Sequence, residues 1–402
     1  MKKIFLLLIS ITLLLSFAGC TSAAKAPAKT ILAIDRIDEP AVMEHFKDKR
    51  VGLFTNQSGV NSKLENSVDI LIDKVNVTAI FAPEHGLVGA VPAGDKFNDT
   101  RYRDKPVYSL YGATRRPTPA MLANIDVMAV DIQDVGARHY TYFSSLAYIM
   151  EECAKQGKKV VVFDRPNPLG GNIEGPVLKP EHKSFIGLYE IPLRHGLTIG
   201  EFARYINTEE KINCQLEVVP LKNWKRSMLW RDTGLAWVQT SPLIPTAETT
   251  IYYVVTGVCP GVSLENGFGS AKPFHFVGTK YADPHKVKQA LDALKLSGVA
   301  FRTATYNTSS GVIVKGVELF ILEPAKVNLA ELQYHIIYTL QELYPQVMKN
   351  YPQRYGNLGE SILISLGEDT YMKHKPKAET FARWQNECAA FKKRSQKYWL
   401  YK

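Results

Sequence analysis

Four continuously apolar runs, Arg50 to Phe54, Val77 to Phe81, Val127 to Ile132 and Lys159 to Phe163, most constrain what this chain can fold into. A strand buried on both faces reads as such a run, whereas a half-exposed strand alternates, so the four predict the centre of a covered parallel sheet. The amphipathic stretches Leu64 to Lys74 and Tyr142 to Gln156 fall between them and read as helices. A third helix opens at the capping box Thr198-Ile199-Gly200-Glu201 and runs to about Asn207.

Each run ends in a cluster of polar residues. Asn56-Gln57-Ser58-Gly59 follows the first, Pro83-Glu84-His85-Gly86 the second, Gln133 to Arg138 the third, and Asp164-Arg165-Pro166-Asn167-Pro168 the fourth. Open parallel sheets bind ligands beyond the carboxyl ends of their strands, so the four loops are expected to line one cleft. Past about residue 236 the pattern changes. A Pro-rich segment and a glycine-rich loop, Gly257 to Gly269, precede a helix at Pro284 to Leu296, strands at Val299 to Ala304 and Val312 to Leu322, and a helix at Leu329 to Leu343. The fold class is therefore α/β: a Rossmann-like parallel sheet domain over 33–235, followed by a smaller α+β domain over 236–402 with a basic C-terminal helix.

The start of the chain reads as a targeting segment. Lys2 and Lys3 precede an apolar stretch, Ile4 to Leu15, that is too short to span a bilayer comfortably, and Phe17-Ala18-Gly19 leads to Cys20. This looks like a bacterial lipoprotein signal over 1–19, with Cys20 as the lipidation site and 20–32 as a tether. The expected location is the bacterial cell envelope, outside the cytoplasm and held to the membrane through that lipid. Without the leader's two lysines the net charge falls from +10 to +8, and the last 32 residues carry nine Lys or Arg against two Glu. The body is thus nearly neutral, which excludes a nucleic-acid groove. Cys153, Cys214, Cys259 and Cys388 form no CxxC pair and are expected to be buried thiols.

Several chemistries are disfavoured by what the loops lack. No GxGxxG or Walker A string occurs, and no G-x-S-x-G elbow. Glu84, His85, Asp131, Asp134, His139, Asp164 and His195 could supply metal ligands, but without HExxH or repeated spacing the site is expected to need no metal and no cofactor. Carboxylate chemistry remains. Glu84 stands just beyond an apolar run, after Pro83, at the rim of a partly desolvated cleft that suits a general acid. Asp134 and Asp131 are the nearest candidates for the second carboxylate that glycoside hydrolysis usually requires. His195 and Glu174 could bind hydroxyls or tie down loops, and Glu201 already has its task in the capping box.

At these residues the chain resembles a known family. PEHGLVGAVPAGD, YSLYG, DIQDVGARHYTY, FDRPNPLGG, EGPVL, SFIGLYEIPLRHGLTIGEFA and WVQTSPLIPTAET, in that order from about Gly52 to Pro273, are similar to strings of the bacterial exo-β-N-acetylmuramidases. The resemblance implies removal of N-acetylmuramic acid, or a related amino sugar, from non-reducing ends of peptidoglycan fragments, with the glutamate of the PEHG string falling on Glu84. Asn56, His85, Gln133, Arg138, Tyr140, Arg165, Asn167, Glu174 and His195 are the expected substrate contacts. One loop departs: the family typically has Ser-Glu-Gly-Arg-Gly-Thr where this chain has Glu265-Asn266-Gly267-Phe268-Gly269-Ser270. Asn266 and Phe268 are thus expected to set what is accepted, unless Arg138, Arg165 or Arg194 pairs with the substrate's carboxylate instead. The competing reading is a catalytically lapsed, sugar-binding envelope lipoprotein.

Overall fold

The computed structural model describes residues 28–308, 311–346, 365–368, 375 and 377–402. The expected leader, Cys20 and most of the tether lie outside the described residues.

The first sheet begins with β1 (Val51–Thr55), β2 (Val77–Ala82), β3 (Thr100–Tyr102), β4 (Lys105–Ser109), β5 (Val127–Asp131) and β6 (Lys159–Phe163). A hairpin of β7 (Glu174–Val177) and β8 (Pro192–Arg194) then projects from it before β9 (Leu216–Val219) completes it. The order is β3-β4-β2-β1-β5-β6-β9, with every pairing parallel except β3 on β4. Counted among the parallel strands alone, this is the Rossmann order 3-2-1-4-5-6, whose direction of winding reverses between β1 and β5. Alternate residues of β1 enter two separate cores: Val51 and Leu53 pack on one face, Phe54 on the other. That double burial is why the runs are continuously apolar.

Helices Ser67–Lys74, Tyr142–Lys155 and Ile199–Glu209 cover the sheet. The first starts later than its hydrophobic pattern suggests. Asn61 Oδ1 accepts from the backbone N–H groups of Lys63 and Glu65, and Leu64 takes φ +68°, so 61–65 is a tight turn and not a helical one. The third helix carries the expected capping box: Thr198 Oγ1 accepts from Glu201 N at 3.2 Å, and Glu201 Oε2 accepts from Thr198 N at 3.1 Å.

The second part holds an antiparallel sheet, β10 (Phe276–Thr279), β12 (Ile313–Ile321) and β11 (Val299–Asn307) in that spatial order. Helices Thr249–Thr256, Pro284–Asp292 and Leu329–Leu343 pack with it. The C-terminal helix Ala378–Ser395 returns to the first part, burying Trp384 and Phe391. Beyond it the Tyr401 hydroxyl donates to Asp164 Oδ2 at 2.6 Å and Leu400 N donates to Glu201 Oε1 at 2.9 Å. The end of the chain is therefore built into the carboxyl side of β6. All four described cysteines are buried and free.

Candidate active site

The loops after β1, β5 and β6 meet at the point where the sheet reverses, and most of their polar side chains are consumed in holding one another. Asp131 is fully buried, and Arg165 grips both its oxygens, Nε to Oδ1 at 2.6 Å and Nη2 to Oδ2 at 2.8 Å. Arg165 also donates to Val60 O at 2.7 Å. Asn56 donates to the Tyr142 hydroxyl at 2.7 Å and accepts from Ser58 N and Oγ. Asn167 ties to Leu197 O and Leu169 N, and Gln133 donates to Asp134 O and Pro166 O. An unpaired polar group at such depth costs about 1–3 kcal/mol, so these pairings fix the geometry of the cleft floor.

Three further expected substrate contacts also have partners within the protein. Arg138 is buried with its guanidinium on the carbonyls of Pro176, Ile191, Ser365 and Leu366, joining the β7–β8 hairpin to 365–368. Glu174 pairs with Arg194 at 2.8 Å and caps Leu329 N at 2.9 Å. His195 is fully buried against Phe143, and burial followed by the charges of Arg138, Arg226 and Arg194 lowers its pKa to about 3. The Asp131 and Arg165 side chains are likewise each other's partners.

Glu84 is different. It is half-buried just past β2, Oε1 accepts from Gly94 N at 2.9 Å, and Oε2 accepts from Thr141 Oγ1 at 2.9 Å. The donors fix the carboxyl while its edge stays open. The backbone turn that presents it is strained: His85 has φ +74° and closes the loop through Nδ1 to Val91 O at 2.7 Å. Asp134 lies deeper, with Oδ1 accepting from Gly136 N at 2.7 Å and Oδ2 without a partner among the described residues. Burial pushes its carboxyl up to about 8, so it is protonated at neutral pH.

Two phenols lie between these acids. Tyr140 is buried edge-on to Tyr142 and Tyr253, at 4.7 and 5.7 Å between ring centres. Tyr253 stacks on His139 at 4.6 Å, and burial together with the charges of Tyr140, Glu84 and Asp134 holds its hydroxyl in the protonated form. Tyr253 belongs to helix Thr249–Thr256, so the second part contributes directly to the site. The sequence reading missed Tyr253, Thr141, Tyr142 and Gly94. Thr141 and Tyr142 sit in the quoted DIQDVGARHYTY string, but Tyr253 lies in an apolar helical pattern that offers no local signal.

The departing loop has a structural role of its own. Asn266 is buried, donates to Thr256 O at 3.0 Å and accepts from Phe268 N at 3.2 Å, while the Phe268 ring is exposed. Phe274 N donates to Asn266 O, and the Phe274 ring meets Tyr253 edge-on at 5.1 Å, which ties this loop to the site.

The comparisons agree with this architecture. The family model described as exo-beta-N-acetylmuramidase NamZ, N-terminal, matches residues 51–248, and its C-terminal counterpart matches 251–401. Peptidoglycan beta-N-acetylmuramidase NamZ of Bacillus subtilis (strain 168) is 43% identical over 364 residues, covering 86% of this chain and 87% of its own. Crystal structures of two DUF1343 family proteins from Bacteroides fragilis NCTC 9343 superpose with TM-scores of 0.85 and 0.73, at 34% and 26% identity. Each covers 93% of this chain and 99% of its own. With both halves matched in order and the acid-bearing loops in register with the fold, the chain belongs to the exo-beta-N-acetylmuramidase NamZ family of glycoside hydrolases.

Proposed function

We propose that this protein hydrolytically removes N-acetylmuramic acid from non-reducing ends of peptidoglycan fragments, with Glu84 delivering the proton to the glycosidic oxygen as its bond to the anomeric carbon breaks and water supplying the oxygen that replaces it there. The observation that carries the assignment is that, of Glu84, Asp131 and Asp134, only Glu84 reaches solvent, just beyond the carboxyl end of β2. Thr141 and Gly94 orient it, as a group that must meet a bound bond needs. Asp134 is the second carboxyl. Its raised pKa lets it hold a proton beneath Tyr140 and Tyr253 until about pH 8, so the floor stays uncharged while Glu84 works above it.

Glu84→Gln keeps the size and an acceptor oxygen for one of the two contacts but cannot donate the acid proton. Turnover of an unactivated muramic acid glycoside is expected to fall by about 10² to 10⁴ with the thermal midpoint unchanged. Near-normal turnover would overturn the assignment. Asp134→Asn is expected to slow turnover less and to remove a fall in rate above about pH 8, because the amide has no proton to lose.

The proposal extends to location. The basic n-region, the short apolar stretch and Ala18-Gly19-Cys20 support lipid attachment at Cys20, with the body held outside the cytoplasm. The tether's root supports a fixed point of departure: Thr30 N donates to Thr233 O and Ile31 pairs with Lys222. Labelled fatty acid is expected in the wild type and not in Cys20→Ser; no label in either would end this part of the reading.

A further inference from the structure

The sugar proposed above carries a carboxylate on its lactyl ether, and the arginines expected to meet it are already engaged. Arg165 is on Asp131, Arg194 on Glu174, and Arg138 on backbone carbonyls. The rim supplies another. Ser109, the last residue of β4, pairs with Ala82, the last of β2, so Tyr111 and Glu84 stand two residues beyond partnered positions on adjacent parallel strands. Tyr111 faces Glu84 closely enough that burial and the Glu84 charge push its hydroxyl up to about 12.

Four residues on, the Arg115 guanidinium lies 4.3 Å from the centre of the Phe185 ring and 5.2 Å from that of Tyr111. Its neighbour Arg116 gives the contrast. Arg116 sits over Tyr148 at 3.7 Å and is neutralised by Glu151 at 2.6 Å and Glu152 at 3.0 Å. Arg115 is exposed and has no ion-pair partner among the described residues. Glu84, on the adjoining loop, accepts from Thr141 and Gly94 and forms no ion pair with Arg115. Stacking on aromatic faces, with one hydrogen bond to the Tyr111 hydroxyl, orients the guanidinium and leaves the rest of its fork of donors for a carboxylate in a bidentate pair.

We propose that Arg115 determines specificity for the acidic sugar: seated on Phe185 and Tyr111, it pairs with the lactyl carboxylate of the terminal residue while Glu84 faces the glycosidic bond. This rests on the muramidase reading, and it assigns to the β4 loop the charge recognition that the departing glycine-rich loop lacks.

The test compares a 4-nitrophenyl β-N-acetylmuramide with the same glycoside carrying a lactyl methyl ester, which keeps the shape and removes the charge. The wild type is expected to prefer the free acid by about 10- to 100-fold in kcat/KM, the scale of one charge-assisted hydrogen-bond pair. Arg115→Gln is expected to lose that preference by slowing the free acid much more than the ester, and Arg115→Lys to recover part of it, since it keeps charge without the fork. Equal losses on both substrates, or a preference that survives in Arg115→Gln, would overturn the proposal. If the wild type cleaves neither glycoside, the muramidase reading fails separately. Calorimetric binding of N-acetylmuramic acid then decides for Arg115: weaker binding by Arg115→Gln supports it, while equal binding or none by the wild type sinks it.

Discussion

The floor and the rim of the cleft are built from the same residue types at the same ends of the same sheet, yet their side chains are used in opposite ways. On the floor, Asp131 with Arg165, Asn56 with Tyr142, and Asn167 with Leu197 are buried pairs contributed by different loops. On the rim, Glu84 is half-buried and Arg115 exposed, with ties that leave an edge free. Water explains the difference. A polar group cut off from solvent must find a protein partner, whereas one at the rim is hydrated when empty and can exchange that water for a substrate. A polar cluster after a parallel strand therefore marks the place of a site, and burial decides which members hold it together. Asp134 belongs to neither class: it is buried like the floor but has an oxygen unpaired, and it resolves the conflict by keeping its proton.

The comparison breaks most visibly if the floor is cut. Asp131→Asn would leave the Arg165 guanidinium buried without its counter-charge, and about 3–5 kcal/mol of folding stability should go with it. Urea unfolding measures this, with Glu84→Gln as the rim control that leaves the midpoint in place. A loss below about 1 kcal/mol for Asp131→Asn would mean that water reaches the pair and that the floor is no firmer than the rim.

Asp134 sharpens the same contrast through pH. In the unfolded chain its carboxyl ionises near the ordinary aspartate value of about 4, whereas in the fold it ionises at about 8. Between these values the native state binds the extra proton, so this group's contribution to stability is complete below about pH 4 and is lost as the pH rises through 8. Asp134→Asn preserves the neutral shape and the Gly136 N–H contact at Oδ1. The variant should therefore gain on the wild type by about 2 kcal/mol between pH 6 and 8, read from urea midpoints at each pH. Parallel curves for the two proteins would show that Asp134 is already ionised in the fold.

The sheet was legible because burial on both faces writes itself into sequence as unbroken apolar runs, and the four runs became β1, β2, β5 and β6. The edge strand β3, Thr-Arg-Tyr, carries no such run because it is largely exposed, and the hairpin strand β7, Glu-Gly-Pro-Val, is too short and too poor in apolar side chains to write one. Within the site, Glu84 could be found because strand end and acid are adjacent in sequence. Arg138, Glu174 and His195 could not be sorted into binders and braces that way. Their partners are tens to hundreds of residues distant, as with Arg138 and Leu366. Tyr253 was hidden for the opposite reason, since an aromatic side chain in an apolar helix reads as core whether or not its ring edges a cleft.

The smallest effect belongs to the loop whose sequence departs from its family. Asn266 and Phe268 both differ, but only one of them is free to be changed. The Asn266 amide donates to Thr256 O from a buried position, and a glutamate there would meet that carbonyl with a carboxylate, so restoring both residues would unsettle the loop. Phe268 is exposed, and its ring makes no aromatic contact among the described residues, so Phe268→Arg should stay within about 0.5 kcal/mol of the wild type in stability. Because the loop is tied to the site through Phe274 and Tyr253 while Phe268 itself is exposed, the added charge lies at the margin in solvent, where an ion pair is worth at most about 1 kcal/mol. The preference for the free lactyl acid over its methyl ester should accordingly rise by less than about tenfold, and the gain should fade as salt is raised from 50 to 500 mM. A larger gain that resists salt would place residue 268 directly on the substrate's carboxylate and move the specificity of this rim from the β4 loop to the glycine-rich one.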